Sequence, residues 1–506
     1  MLLQAGKLEE AETFARAWVS AQPRDSDARA FLGVVLDQLG RTEDAEREYR
    51  QALRLDPQSP TALTNLGVLL ARTNRSDEAV RAFNEALVMS PDHLQAIANL
   101  ASIYLSRRDY AHAIPLLERS TRLGQASENQ ASNLSLLIGL ATAYAHVGRD
   151  QDAKRVVKQI EVAAGENPSA LFTLALGLAD AGSYQDAARL FARTDQLRPN
   201  TYEVLYNLGV ALFNLERLDE ARKALQGAAT LRPNESEPFY RLGLIAAAKG
   251  ESENAIGLWQ RALVLRPVYP EAQFMIAEEL FKNHRTERAV PFYEQAATQD
   301  PSKVIYQIRL GVAQFRNRHY AESHEIFERA IKQFPNTAVL HFLAGYAARA
   351  EGLYDVALTS FTRAVELDPD NVDVLANIGF IYLERGDYAG AEKFLRRAVG
   401  LDAKYFPAHY DLGRMLVRLK RYDEAIAVLE KAESIGGNDP GVHYQLFTVY
   451  SRLKRKQDAD RELAIFKRLE EARKSGEGNS SGSATGDTPE PAPKNPQPGM
   501  VTSERP

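Results

Sequence analysis

The chain has 506 residues, 45% of them apolar and 25% charged, with 62 basic against 67 acidic side chains and a formal net charge of −5. That slight acidity argues against nucleic acid as a main partner, because phosphate binding needs a basic surface. The absence of cysteine excludes disulfides, thiolate catalysis and cysteine zinc sites, and no run of about 18 apolar residues is present to span a membrane.

Residues 1–6 carry no basic segment followed by an apolar one, so they do not form a signal peptide. They resemble the interior of a helix whose beginning is missing, and a lone helix is predicted over Leu8–Ala21. Two readings stay open: a shortened start, with an upstream segment that carried a targeting signal, or a first unit that is naturally incomplete. Residues 1–25 are therefore set apart as a partial first unit.

From there one spacing governs the chain. Ala11, Ala45, Ala79 and Ala113 are followed by Ala153, Ala187, Ala221, Ala255, Ala289, Ser323, Ala357, Ala391, Ala425 and Ala459. Every step is 34 residues except Ala113 to Ala153, which is 40. A single-core enzyme has no reason to keep such a register, whereas stacked helical hairpins must keep it. Units 2–4 fill residues 26–127, and units 5–14 fill 134–474. The extra residues are placed in an inserted loop at 128–133, which serves either as a long turn tolerated at one edge or as a hinge.

Further columns run in phase with the alanines. Pairs such as Leu32-Gly33, Leu66-Gly67, Leu310-Gly311 and Leu412-Gly413 precede them, and bulky residues such as Tyr49, Phe83, Phe191, Trp259 and Phe361 follow four positions later. Small residues let two helices approach, and large ones fill the space beside them. Gly40, Gly148, Gly182, Gly250, Gly352 and Gly386 suit the left-handed residue that ends a helix. Prolines such as Pro57, Pro199 and Pro369 close the second helix of each hairpin. Beyond residue 474 the composition turns to Ser, Gly, Pro, Asn and Thr, so 475–506 is expected to be a disordered tail.

This pattern resembles the tetratricopeptide repeat, in about fourteen copies from residue 1 to about 474, although the family's tryptophan is replaced throughout by residues such as Leu63, Phe239 or His341. The resemblance implies an all-α fold, a right-handed superhelical solenoid of antiparallel helix pairs. It also implies a concave groove, lined by the first helices, that holds extended peptides or a partner's helix. The column facing that groove holds Phe172, Tyr206, Tyr240, Phe274, Ile308, Phe342, Ala376, Tyr410 and Tyr444, with Phe213, Phe281, Phe315, Tyr346 and Phe380 in adjacent columns. These rings either grip a partner or pack between neighbouring hairpins. Arg316, Arg349, Arg414, Arg418 and Arg452 fall in inner columns of the last five units, a pattern that favours an acidic segment or a terminal carboxylate.

Two family sites can be compared residue by residue. The carboxylate clamp of chaperone-binding members is absent, since Phe172, Leu176 and Glu237 stand where it needs Lys, Asn and Lys around Asn207 and Arg241. The asparagine ladder of glycosyltransferase-linked arrays matches at Asn65, Asn99, Asn207 and Asn377 but fails at Phe31, Met275, Leu343 and Asp411.

The repeats leave no length for a catalytic domain, and neither a phosphate loop nor an HExxH motif is present. His341, His409 and His443 share one buried column and His319 and His324 lie five apart, so no catalytic, cofactor or metal site is assigned. The expectation is a non-catalytic scaffold or adaptor binding a protein partner in its groove. The alternative is the substrate-recruiting subunit of a separate enzyme such as a glycosyltransferase, and self-association through the end units stays open. The cytoplasm is the default compartment, with the periplasm or exterior as alternatives if an upstream signal segment exists.

Overall fold

The computed structural model of the chain describes residues 3, 6–124, 130–436 and 439–475. Among them all regular structure is α-helical, in 27 helices from Leu8–Ala21 to Lys456–Ser475. The first precedes the pairs and the other 26 form thirteen of them. The fold is all-α, built from tandem antiparallel helix pairs.

The sequence columns explain each pair. A first helix such as Pro60–Arg72 buries Leu63, Leu66, Gly67 and Leu70, and the second helix Ser76–Met89 answers with Ala79, Phe83 and Ala86. First helices are often capped by a short polar side chain: Asp25, Ser59, Asn167, Asn371 and Asp439 each accept a hydrogen bond from a backbone N–H in the first turn. Most second helices lack such a cap and are entered through a tight turn with one left-handed residue. Gly40, Gly148, Gly182, Gly250, Gly352 and Gly386 hold that conformation, but so do Asn74, Arg108, Glu216, His284, Arg318, Lys420 and Lys454.

The chain divides into two compact units, Met1–Ile245 and Ala246–Pro506, with the division inside helix Ser236–Ala248. The 128–133 segment lies within the first. Helix Gln130–His146 takes in residues 130–133 and is 17 residues long, against 13 in the next first helix. Part of the insertion expected as loop is thus helix; residues 125–129 and the tail from 476 lie outside the described residues. Inside each unit, first helices of successive pairs lie against one another, as Ser26–Gln38 does on Pro60–Arg72 and Val372–Arg385 on Phe406–Arg418. They form the continuous layer on which any shared surface must be built.

Another column emerges seven residues after the alanines. From Ala52 to Ala432 it holds Ala, Ser120, Ile160 or Thr194, and every member is buried. Ala52 packs with Ala30 of its own pair and Ala62 of the next, so this is a three-helix junction. In the first and last helices, where one helix of the junction is not among the described residues, the same column holds Trp18 and Phe466. Trp18 lies 6.0 Å from the Phe31 ring and Phe466 5.5 Å from Tyr444.

Candidate functional site

The aromatic column expected to face a groove is largely engaged in packing. Phe172 lies 5.7 Å from Phe191, Phe274 5.8 Å from Tyr293, and Phe342 6.1 Å from Phe361, each on the core ring of its own second helix. Phe342 is buried, whereas Phe172, Tyr206, Tyr240 and Phe274 are half-buried. Tyr206 stacks on Tyr202 at 5.9 Å. Tyr444, in the last pair, is 48% exposed, because no further pair follows it among the described residues. The asparagines are half-buried at 65 and 99. Asn99 donates its amide N–H back to the Gln95 carbonyl at 2.9 Å, as Asn207 does to Glu203 and Asn377 to Asp373, both at 2.7 Å.

A more coherent feature runs along the first helices of the second unit. Arg316 lays its guanidinium 4.3 Å from the centre of the Phe281 ring. The neighbouring Phe315 packs on Tyr346 at 5.2 Å. Arg349 then lies 4.8 Å from Tyr346 and 5.0 Å from Phe380. Rings and guanidinium groups therefore alternate over four first helices, from Pro270–Lys282 to Val372–Arg385. Each such contact is worth about 0.5–2 kcal/mol, depending on how dry it is. Phe315, Arg316, Arg349 and Phe380 are half-buried, so part of this ladder meets solvent.

The remaining arginines differ in their freedom. Arg414 donates to Asp411 at 2.8 Å and to Glu384 at 2.7 Å. Arg418 donates to the Leu383 carbonyl at 3.1 Å and stands 3.7 Å from Glu384. Burial pushes the Asp411 carboxyl above the usual carboxylate range, with Arg414 opposing that shift. Arg452 is exposed. Arg349 makes no side-chain hydrogen bond or ion pair among the described residues.

The histidine column is structural in its chemistry. Nε2 of His341 donates to the Pro335 carbonyl at 2.9 Å and that of His409 to Ala403 at 3.1 Å. His443 pairs through Nδ1 with Glu462 at 2.8 Å, both side chains almost wholly buried. Glu433 completes a trio whose ligand atoms lie within 4.8 Å of one another, the one group among the described residues with the donors to hold a metal ion. It was not foreseen, because Glu433, His443 and Glu462 come from three different helices. Glu462 also accepts from Arg461 at 3.0 Å, and a guanidinium at that carboxylate opposes a second cation. The same place in the second unit of sequence holds Arg29 and Glu48, paired at 3.0 Å with the same separation of 19 residues. A polar pair at this position is therefore a recurrent way to fill the site.

Two family models, each described as Tetratricopeptide repeat, match the sequence. One matches residues 1–60, 32–93, 64–131, 240–304 and 308–372, more than half of the chain; the other matches 178–242, 348–416 and 382–446. The chain belongs to the tetratricopeptide repeat family. Among curated proteins no match is found. Solved structures that the array resembles include the C-terminal part of a TPR repeat-containing protein from Cytophaga hutchinsonii, at 18% identity and TM-score 0.44, covering 48% of this chain and 99% of that one. YrrB, described as a TPR protein with an unusual peptide-binding site, is 18% identical with TM-score 0.34, covering 37% and 97%. Yeast Tom70 is 17% identical with TM-score 0.32, covering 89% and 96%.

Tetratricopeptide repeat proteins are in general protein-binding scaffolds. Only such repeats are found here, and no catalytic domain is identified. No helix among the described residues is long and apolar enough to cross a membrane. The partners of Arg414 and Arg349 escaped the sequence reading, although a clue was present. Residues about 30 positions apart on successive first helices become neighbours, as Glu384–Arg414 and Arg349–Phe380 do.

Proposed function

We propose that this protein is a non-catalytic adaptor that holds an extended segment or helix of a partner protein against the first helices of its second unit. The observation that supports this reading is the ladder Phe281, Arg316, Phe315, Tyr346, Arg349 and Phe380, with four of its six members half-buried. Alternating rings and guanidinium groups offer apolar area and hydrogen-bond donors together, the composition that dominates binding hot spots. Five of the sequence candidates, Phe172, Tyr206, Tyr240, Phe274 and Phe342, would then act chiefly by shaping the layer from within.

A pull-down with the full chain, followed by binding assays on Phe315→Ala and Phe380→Ala, tests the reading. Truncating an aromatic anchor costs about 2 kcal/mol or more of binding. A partner that binds both variants as tightly as wild type, with wild-type helicity in each, removes the ladder as the binding surface.

A further inference from the structure

Arg349 occupies a column that is otherwise apolar in its neighbours: Phe281, Phe315, Leu383 and Val417 stand at the equivalent places, one repeat apart. Its guanidinium is held between the Tyr346 and Phe380 rings, at 4.8 and 5.0 Å from their centres. Ring contacts fix the plane of a guanidinium while leaving its N–H edges available. Those edges have no hydrogen-bond or ion-pair partner among the described residues, and the side chain is half-buried. A half-buried guanidinium with no hydrogen-bonded carboxylate is costly to keep in a folded chain, and its charge is complementary to an oxyanion.

Building on the adaptor reading above, we infer that Arg349 is a recognition site for a single carboxylate side chain, Asp or Glu, set among apolar residues in the partner's extended segment. The carboxylate would accept two parallel N–H bonds from the guanidinium, while apolar neighbours cover Phe315 and Phe380. The ligand carries one charge and not two. The nearby Arg414 and Arg418 are occupied by Asp411 and Glu384, and Arg316 on the preceding first helix is engaged in its own contacts. Arg349 is thus the one arginine of these four left to meet an incoming anion, too few for a phosphate. Asp411 is buried and gives its hydrogen bond to Arg414; Arg349 acts on its carboxyl through charge alone, which leaves the N–H edges of Arg349 to a ligand.

The test uses the full-length protein and an array of acetylated, amidated dodecapeptides. Each carries Glu, Gln or phosphoserine at its centre, with Leu, Phe, Val and Ser varied around it. The expected result is a preference for Glu over Gln of about tenfold. That preference disappears in Arg349→Leu, which places there the residue found at the equivalent position 383, while Phe380→Ala weakens the Glu and Gln peptides alike. Arg349→Lys should recover only part of the preference, since a point charge lacks the two-pronged fit. Equal binding of Glu and Gln peptides that is still lost in Phe380→Ala overturns the carboxylate site and leaves the adaptor reading intact. A preference for phosphoserine overturns it as well. Binding of no peptide, or binding indifferent to both Arg349 and Phe380, overturns both readings.

Discussion

Phe83 stands where a side chain on Gly67 would have to go: a Cβ built on Gly67 falls 2.7 Å from Cε1 of the ring and 2.9 Å from Cδ1 and Cζ. Phe83 is wholly buried and cannot swing away. Gly67→Ala should therefore destabilise the first unit by about 1–3 kcal/mol through overpacking, although alanine is the better helix former. Gly352→Ala is the contrasting case. Nothing lies within 4 Å of its would-be Cβ, but its φ is +82°, so the expected cost of about 1 kcal/mol comes from the backbone alone. Denaturant unfolding of both variants checks the pair, and Phe83→Leu should recover part of the loss in Gly67→Ala and none in Gly352→Ala. Equal rescue of the two would contradict the steric account.

The fold was legible because its rules are local and repeat. Gly67 and Phe83, or Gly345 and Phe361, sit 16 residues apart, and the same two positions recur in each of the thirteen helix pairs, a register that leaves no other architecture. The turn after each first helix was legible at Gly40 and Gly386 but not at Glu216 or Lys420, which take the same left-handed conformation against their own preference because the hairpin imposes it. The face of the first helices was only half legible. Columns say which way a side chain points, and so they found Arg349 and Arg414 alike. They do not say what waits there: Arg414 meets Glu384 and Asp411, and Arg349 meets two rings. Ion pairs one turn short of a repeat follow the same logic. Glu12–Arg41, Glu46–Arg75 and Glu392–Arg421 all join residues 29 apart, at 2.8–2.9 Å.

The junction column separates the ends of the array from its interior. Ala330 is 2% exposed, so Ala330→Phe should force three helices apart and cost at least about 3 kcal/mol, the upper end for overpacking. Phe466→Ala removes a ring that is only half-buried and should cost less than the roughly 3–5 kcal/mol of a fully buried phenylalanine. Its effect should stay within the last pair. Hydrogen exchange would show faster opening of Lys456–Ser475 with helices before Phe406 unchanged; protection lost throughout the second unit would sink the idea that Phe466 closes only the end.

His443 and Glu462 are 2% and 3% exposed as side chains, a pair whose partners depend on each other. Glu462→Leu alone should destabilise strongly, by about 3–5 kcal/mol, because it strands the histidine. The double change His443→Leu with Glu462→Leu installs the residues found at the same two positions in Leu171 and Leu190, both wholly buried, and should be close to neutral. Thermal unfolding of the two single variants and the double gives the coupling directly. Additive losses would mean that the pair does not act as a unit.

Acid should act through His409. Its Nε2–H is donated to Ala403, its Nδ1 is buried without a hydrogen-bond partner, and burial holds its pKa below the ordinary 6.5. The unfolded chain therefore takes up this proton first as pH falls. The stability owed to the neutral ring is complete above about 6.5 and is lost as pH drops from there to the lower folded value. His409→Leu, with the residue that fills this column at Leu375, should lose less stability between pH 7.5 and pH 5 than the wild type does. Parallel pH curves for the two proteins would show that another group governs the response.

Charge reversal should divide the arginines by what they already hold. Arg414 has a side chain 20% exposed and bonds two carboxylates, Glu384 and Asp411. Arg414→Glu would gather three acidic groups in a half-buried place, with an expected loss of about 3 kcal/mol or more. Any weakening of partner binding in that variant would report damage to the layer, not a lost contact. Arg452 is exposed and bears no side-chain pair among the described residues, so Arg452→Glu should change stability by no more than about 0.5 kcal/mol. If the partner is acidic, that variant should mainly slow association and lessen its dependence on salt. Stopped-flow binding at two ionic strengths, with unfolding midpoints for both variants, distinguishes the roles. A stable Arg414→Glu would show that Glu384 and Asp411 do not need their guanidinium, and an unstable Arg452→Glu would place that arginine among the groups that hold the fold.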